Sequence, residues 1–185
     1  MTGDTCAPTN HDLVKLWRPG WDPLFARDPA PFRDAGLPPA NVAFVAEVGL
    51  PAGSPPFLSF GPFASGELQL LADFGAGYEG ARGLLAFGSD GGEGHVCLGA
   101  VDGCVWRFKP GSGLVLMNTS LRKLVASLYH FQVLVDEVVK RVGVYLPSRV
   151  LEDEALEFIR AIDAIDASAT ERGTFWRVQF EEMGG

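Results

Sequence analysis

Between Phe57 and Met117 the apolar residues of this chain fall in short runs, and from Leu121 onward they recur every third or fourth position. The runs are Phe57–Phe60, Leu68–Phe74, Leu84–Phe87, His95–Val101, Cys104–Lys109 and Leu114–Met117. Gly, Pro, Ser or Asp fills the gaps, which is the punctuation of short strands. No gap has room for a crossover helix, so the pattern predicts an antiparallel meander of about six strands. Leu121, Leu124, Val125, Leu128, Phe131, Leu134 (or Val135) and Val138 then share one face of a helix over about 119–141. Asn118, Thr119 and Ser120 are its candidate caps, and Lys140 and Arg141 suit its C-terminal end. The aliphatic stripe plugs the buried side of the sheet, so the fold class is α+β, an antiparallel sheet flanked by helices.

The flanks are less regular. Asp12–Trp17 reads as a short amphipathic piece stopped by Pro19-Gly20, with Trp17 and Trp21 near prolines as lids over a core edge. Residues 28–39 are proline-rich without periodicity, which predicts a loop. Pro39–Val48 predicts a short helix, with Pro in its first turn, Gly49 behind it, and Val42, Val45 (or Ala46) and Val48 facing inward. A further helix runs from about Glu152 to Ala167, with Leu156, Ile159, Ile162 and Ile165 inward. Thr174–Phe180 alternates like a strand, yet Trp176 and Phe180 are also four apart, and both readings stay open. The expected division is a loosely structured N-terminal segment, 1–35, with a Trp-containing short helix after the loose start Met1–Thr9. One α+β domain follows over 36–185.

Asp102-Gly103, between two strand-like runs, suits a two-residue type I′ hairpin, whose central positions both need positive φ. That turn sets Val101 opposite Cys104, Gly99 opposite Trp106 and Cys97 opposite Phe108. Cys97, Gly99, Val101, Cys104, Trp106 and Phe108 then form the core face, and Arg107 and Lys109 lie on the other. In this register Cys97 stands roughly 13 Å along the strand from the partner of Cys104. A disulfide needs Cα atoms within about 7 Å, so no bridge is expected.

Charge narrows the function. The formal net charge of the 185 residues is −8, which disfavours direct binding of nucleic acid because phosphate needs a basic footprint. From Leu151 to the end, nine acidic side chains face three basic ones. No run approaches the roughly 18 apolar residues of a membrane span. The N-terminus lacks the basic-then-apolar order of a signal peptide, and three cysteines without metal-ligand spacing fit a cytoplasmic protein.

Candidate chemistry is sparse. His11, His95 and His130 sit in unrelated contexts, and no spacing supports a catalytic pair. Gly88-Ser-Asp-Gly-Gly-Glu-Gly-His95 is the most site-like string, because a Gly-rich loop with Asp90 and Glu93 suits a cation or a phosphate. It lacks the Lys and Ser/Thr of a P-loop, the spacing of a dinucleotide fingerprint and the ligand ladder of an EF-hand. A wide hairpin loop is the plainer reading, with contact to a partner the next. Cys97 and Cys104, inward on a sheet, read as small core residues. Glu152, Asp153, Glu154 and Glu157 at a helix start complement its dipole, and the same acidity attracts a basic partner. These considerations predict no catalytic residue, cofactor or metal, and name Asp90, Glu93, Glu152, Asp153, Glu154 and Glu157 as candidate partner contacts.

Read together, Phe87–Leu98 and Leu116–Leu128 resemble the fourth subgroup of the SUKH superfamily of immunity proteins. The family's helix ending in Gly-Leu-Pro is matched by Glu47-Val-Gly-Leu-Pro51, its Gly-Ser/Thr-Asp-Gly-Gly turn by Gly88–Gly92, its Asn-Ser/Thr-Ser-Leu helix entry by Asn118–Leu121, and its late Trp by Trp176. The resemblance covers roughly residues 36–183. Where the family's strand often reads Ile-Cys-Leu-Asp, this chain has Val96-Cys-Leu-Gly99, so a partner contact through that Asp has no counterpart here. The resemblance implies a SUKH-like α+β fold, a helical tail around Trp176, and neutralisation of a bacterial toxin, often a nuclease or deaminase, by direct binding. Relatives of the fold outside bacteria act as interaction or scaffold proteins, which makes a general regulatory module the second expectation. A small enzyme or ligand-binding protein working through Gly88–His95 is the third.

Overall fold

The computed structural model describes residues 9–61, 68–74, 78 and 81–184. The loose start expected at Met1–Thr9 lies outside them as far as Pro8. The described chain begins with α1 (Asn10–Leu16), which a Thr9–Asp12 capping box opens: the Thr9 hydroxyl accepts from Asp12 N at 3.2 Å, and the Asp12 carboxylate accepts from Thr9 N at 3.0 Å. The two tryptophans behind it are lids, as their proline neighbours suggest. Trp17 and Trp21 meet edge to face at 5.2 Å, and the Trp21 indole packs on Tyr129 and donates to Asp136 at 2.8 Å.

The loop expected over 28–39 contains a short helix, α2 (Ala30–Asp34), with Phe32 buried beneath it. Five residues are too few for periodicity to register. Pro31 in the first turn is compatible with a helix there, and just ahead of it the Asp28 carboxylate accepts from Ala30 N at 2.9 Å. Next, α3 (Pro39–Glu47) buries Phe44 and Val45, with Val48 just beyond its end. Gly49 follows at φ +79°, and a Cβ there would collide with the Phe25 carbonyl. Phe25 and Leu50 exchange backbone hydrogen bonds at 3.0 and 3.2 Å, so the Gly-Leu-Pro turn is where the N-terminal segment is stitched to the rest.

Among the described residues, seven strands form one antiparallel sheet. They are β1 (Gly53–Ser54), β2 (Leu58–Ser59), β3 (Gln69–Leu70), β4 (Leu84–Ser89), β5 (His95–Gly99), β6 (Val105–Lys109) and β7 (Gly113–Asn118). The order is β1-β2-β4-β5-β6-β7, with β3 also paired to β4. The meander expected from the apolar runs is present, and β1 joins it unforeseen. Leu71–Phe74, expected to continue a strand, is a 3-10 turn instead.

The β5–β6 hairpin corrects the expected register by two residues. Cys97 pairs with Trp106, Leu98 with Val105 and Val96 with Arg107. No residue other than glycine has positive φ among the described residues, so Asp102 does not enter the type I′ turn. The loop is four residues, Ala100–Gly103. Gly99 N donates to the Cys104 carbonyl at 2.9 Å, and the Asp102 carboxylate accepts from Cys104 N at 2.9 Å. Gly103, at φ +69°, completes it, and Val101 is left 94% exposed rather than in the core.

A shift of two preserves which side chains share a face, but the main core lies on the face opposite to the expected one. Leu85, Phe87, Val96, Leu98, Val105 and Met117 pack with the helices. Cys97 and Phe108 belong to a smaller cluster on the other face, under Leu71, Ala81 and Tyr78, with Trp106 against it. Arg107 therefore lies on the helix-covered side. Both cysteines are free thiols, as expected, and burial pushes the Cys97 thiol up to about 12.

Helix α4 (Leu121–Val142) buries every position of the expected stripe, with Ser120 as its cap. Phe131, at its middle, has the rings of Phe57, Tyr145, Phe158 and Trp176 within 5.7 to 5.9 Å. Helix α5 (Glu152–Ile165) buries Phe158, Ile159, Ile162 and Ile165, with Leu156 only half-buried. The tail is α6 (Phe175–Glu182), which resolves Thr174–Phe180 in favour of helix. Where β7 meets α4, a buried polar knot ties these helices down. The Trp176 indole donates to Asn118 Oδ1 at 2.9 Å, and Asn118 Nδ2 donates to Ser127 and Asp166. Asp166, its side chain 2% exposed, also accepts from Thr119 N at 2.7 Å and Lys123 Nζ at 3.0 Å. The Asn-Thr-Ser-Leu entry and the late Trp, remote in sequence, are thus one structural device.

Candidate functional site

The Gly-rich connection between β4 and β5 is organised around Asp90. One carboxylate oxygen accepts from Gly92 N at 3.0 Å and Gly94 N at 2.9 Å, and the other accepts from Arg107 Nε at 2.6 Å. Burial opposes ionisation of this group, but the Arg107 bond and charge and the two backbone amides outweigh it and hold the carboxyl below its ordinary range. The amides of Gly92 and Gly94 are therefore turned to a carboxylate of the protein. Glu93 differs: its side chain is 81% exposed at the tip, 3.6 Å from Lys109.

The four candidate acids near the start of α5 divide in the same manner. Glu154 accepts from Leu151 N and from Arg141, both at 2.9 Å, and so fixes the start of α5 against the end of α4. Glu152 and Asp153 are exposed on the first turn. Glu157 is exposed one turn further on and lines a groove between α4 and α5. That groove, about 340 Å³, is walled by Val133 and Leu134 of α4 and Phe158 and Ala161 of α5. Glu137, Glu154, Glu157 and the half-buried imidazole of His130 complete its lining. Burial pulls the His130 pKa below its ordinary value, with Glu157 opposing.

The structure thus brings Glu154 and Glu157 to one groove with Glu137, which the sequence pattern does not single out, and His130, which its context alone assigns no role. Both lie on the polar flank of the α4 stripe, where a charge near an apolar face carries no signature of its own. Asp90 is joined instead to Arg107 at the border of a separate cleft of about 440 Å³, between the sheet, α6 and the α4–α5 linker. Phe57, Val115, Phe175 and Val178 line that cleft. Tyr145 is buried beside it, and its hydroxyl has no hydrogen-bond partner among the described residues.

The histidines stay on separate elements. His11 is exposed on α1, His95 on β5 is hydrogen-bonded to the Tyr78 hydroxyl at 3.0 Å, and His130 is on α4. Among the described residues no group of three or more His, Cys, Asp or Glu is placed to hold a metal, and no helix is long and apolar enough to cross a membrane.

Fold and surface together define a small α+β domain with an open groove between α4 and α5 and a second open cleft between the sheet, α6 and the α4–α5 linker. A sequence model described as SUKH-4 immunity protein matches residues 9–182, nearly the whole chain. The chain belongs to the SUKH-4 immunity protein family. Searches of curated proteins and of solved structures each return no match.

Proposed function

We propose that this protein protects a bacterial cell from a cognate toxin, of nuclease or deaminase type, by binding the toxin domain directly in the cytoplasm. The observation that carries the reading is the family match over residues 9–182. The acidic balance of the chain supports a basic partner, since complementary charge speeds encounter and suppresses wrong partners. In this reading the protein needs no cofactor or metal, does not bind nucleic acid or membrane itself, and performs no chemistry. Asp90 acts on its loop from within and Glu154 holds the start of α5, which leaves Glu93, Glu152, Asp153 and Glu157 as the outward candidates for contact.

Co-expression is the test. Cells producing the toxin domain encoded beside this protein's gene are expected to grow when this protein is produced with it, and the two chains to co-purify at equal stoichiometry. Growth arrest that persists at full production of folded protein contradicts the reading. Several unrelated captured partners and no rescue favour the general interaction module.

A further inference from the structure

The groove between α4 and α5 is where an apolar lining and uncompensated charge coincide. Its carboxylates come from both helices, Glu137 from α4 and Glu154 and Glu157 from α5, and no lysine or arginine lines it. The ion pairs of these carboxylates neutralise them incompletely. Arg141 engages Glu154 at 2.9 Å, Lys140 stands 4.0 Å from Glu137, and Glu157 makes no ion pair among the described residues. The His130 imidazole makes no hydrogen bond among the described residues. Burial lowers its pKa, which favours the uncharged ring and works against a positive charge in the groove.

We propose that this groove seats an arginine side chain presented by a basic segment of the partner protein. The proposal rests on the toxin-binding reading and names the contact within it. A long cationic side chain matches the groove in both its parts. Its methylene stem lies along the walls of Val133, Leu134, Phe158 and Ala161, while its charged head stays among the carboxylates at the rim. Carboxylates on two facing helices suit a planar fork with five N–H donors better than a single ammonium. The imidazole of His130 offers a further acceptor. The groove's volume, about 340 Å³, sits at the small end of the roughly 300–1,000 Å³ typical of ligand pockets, a size suited to one anchoring side chain. The net charge of −8 steers the cationic segment toward it from a distance.

The test is calorimetric titration with the toxin domain encoded beside this protein's gene, inactivated at its catalytic residues. Glu137→Arg combined with Glu157→Arg is expected to weaken binding by about 100-fold or more. Asp34→Arg makes the same kind of charge change on α2, outside the groove, and is expected to stay within about threefold of the unmodified protein. Should the doubly reversed protein lose helical content, Glu137→Gln with Glu157→Gln replaces it, with an expected loss of about tenfold. Binding retained within about threefold by a folded groove variant overturns the groove and leaves the toxin-binding reading standing. An equal loss in Asp34→Arg overturns it too, because the effect is then one of overall charge. Failure of the unmodified protein to bind overturns the toxin-binding reading, and the proposal with it.

Discussion

Two sets of carboxylates, drawn from the same acidic composition, behave in opposite ways. Asp166 and Asp90 are turned inward, and their oxygens are occupied by backbone amides, Asn118, Lys123 or Arg107. Glu137 and Glu157 stand at the rim of a groove with weak internal partners or none. An inward carboxylate with several donors organises the chain that supplies them, and removing it strands those donors. An outward carboxylate over an apolar floor does little for the folded state and is available to a partner. Acidity in this protein is therefore two properties with separate consequences.

The contrast is sharpest at Asp166. Asp166→Ala leaves Asn118, Thr119 N and Lys123 without their acceptor beneath α6, and is expected to cost about 3 kcal/mol of unfolding free energy. Urea denaturation should show a lower midpoint with unchanged slope. Unchanged stability would break the distinction at its strongest point. Asp90→Asn should cost less, about 1–2 kcal/mol, since the β4–β5 loop loses a charged acceptor but remains near solvent.

Acid titration sharpens the comparison further. The folded Asp90 carboxyl ionises below its ordinary value of 3.8, so its contribution is fully present above that pH. It is lost as the pH falls through the lower folded value. Asp90→Asn should flatten this part of the acid unfolding profile, and an unaltered profile would count against the Arg107 and amide bonds. His130 and His95 work at milder pH. Burial lowers both below the ordinary 6.5, so protonation favours the unfolded chain and stability declines as the pH drops below that value. His130→Gln should lessen that decline in urea titrations between about pH 7.5 and 5.5. The smallest effect belongs to the rim: Glu157→Gln is expected to change stability by no more than about 0.5 kcal/mol.

Much of the architecture was legible in the chain. The strand runs from Leu84 to Met117 and the stripe from Leu121 to Val138 carry periods that only burial explains, and they fall where expected. The β5–β6 register was not legible, because Asp-Gly fits more than one turn and the deciding fact is that Asp102 keeps negative φ. Nor was the identity of the principal core face, since β5 is apolar on both sides, β6 carries the charged Arg107 on the helix-covered side, and a second cluster covers the Cys97 face. Such strands do not declare which side the helices take. Among the candidate contacts, all six acids were visible as charges. Their division into inward and outward depends on partners 17 residues away for Asp90 and 13 away for Glu154. Glu137 and His130 became recognisable only when α5 was laid beside α4.

The most direct measurement is a backbone NMR shift map of the protein titrated with its inactivated toxin domain. The account predicts that the largest changes cluster in residues 130–137 and 154–161, on the two walls of the groove. Changes confined to the Gly-rich loop at 88–94, with the groove silent, would contradict it.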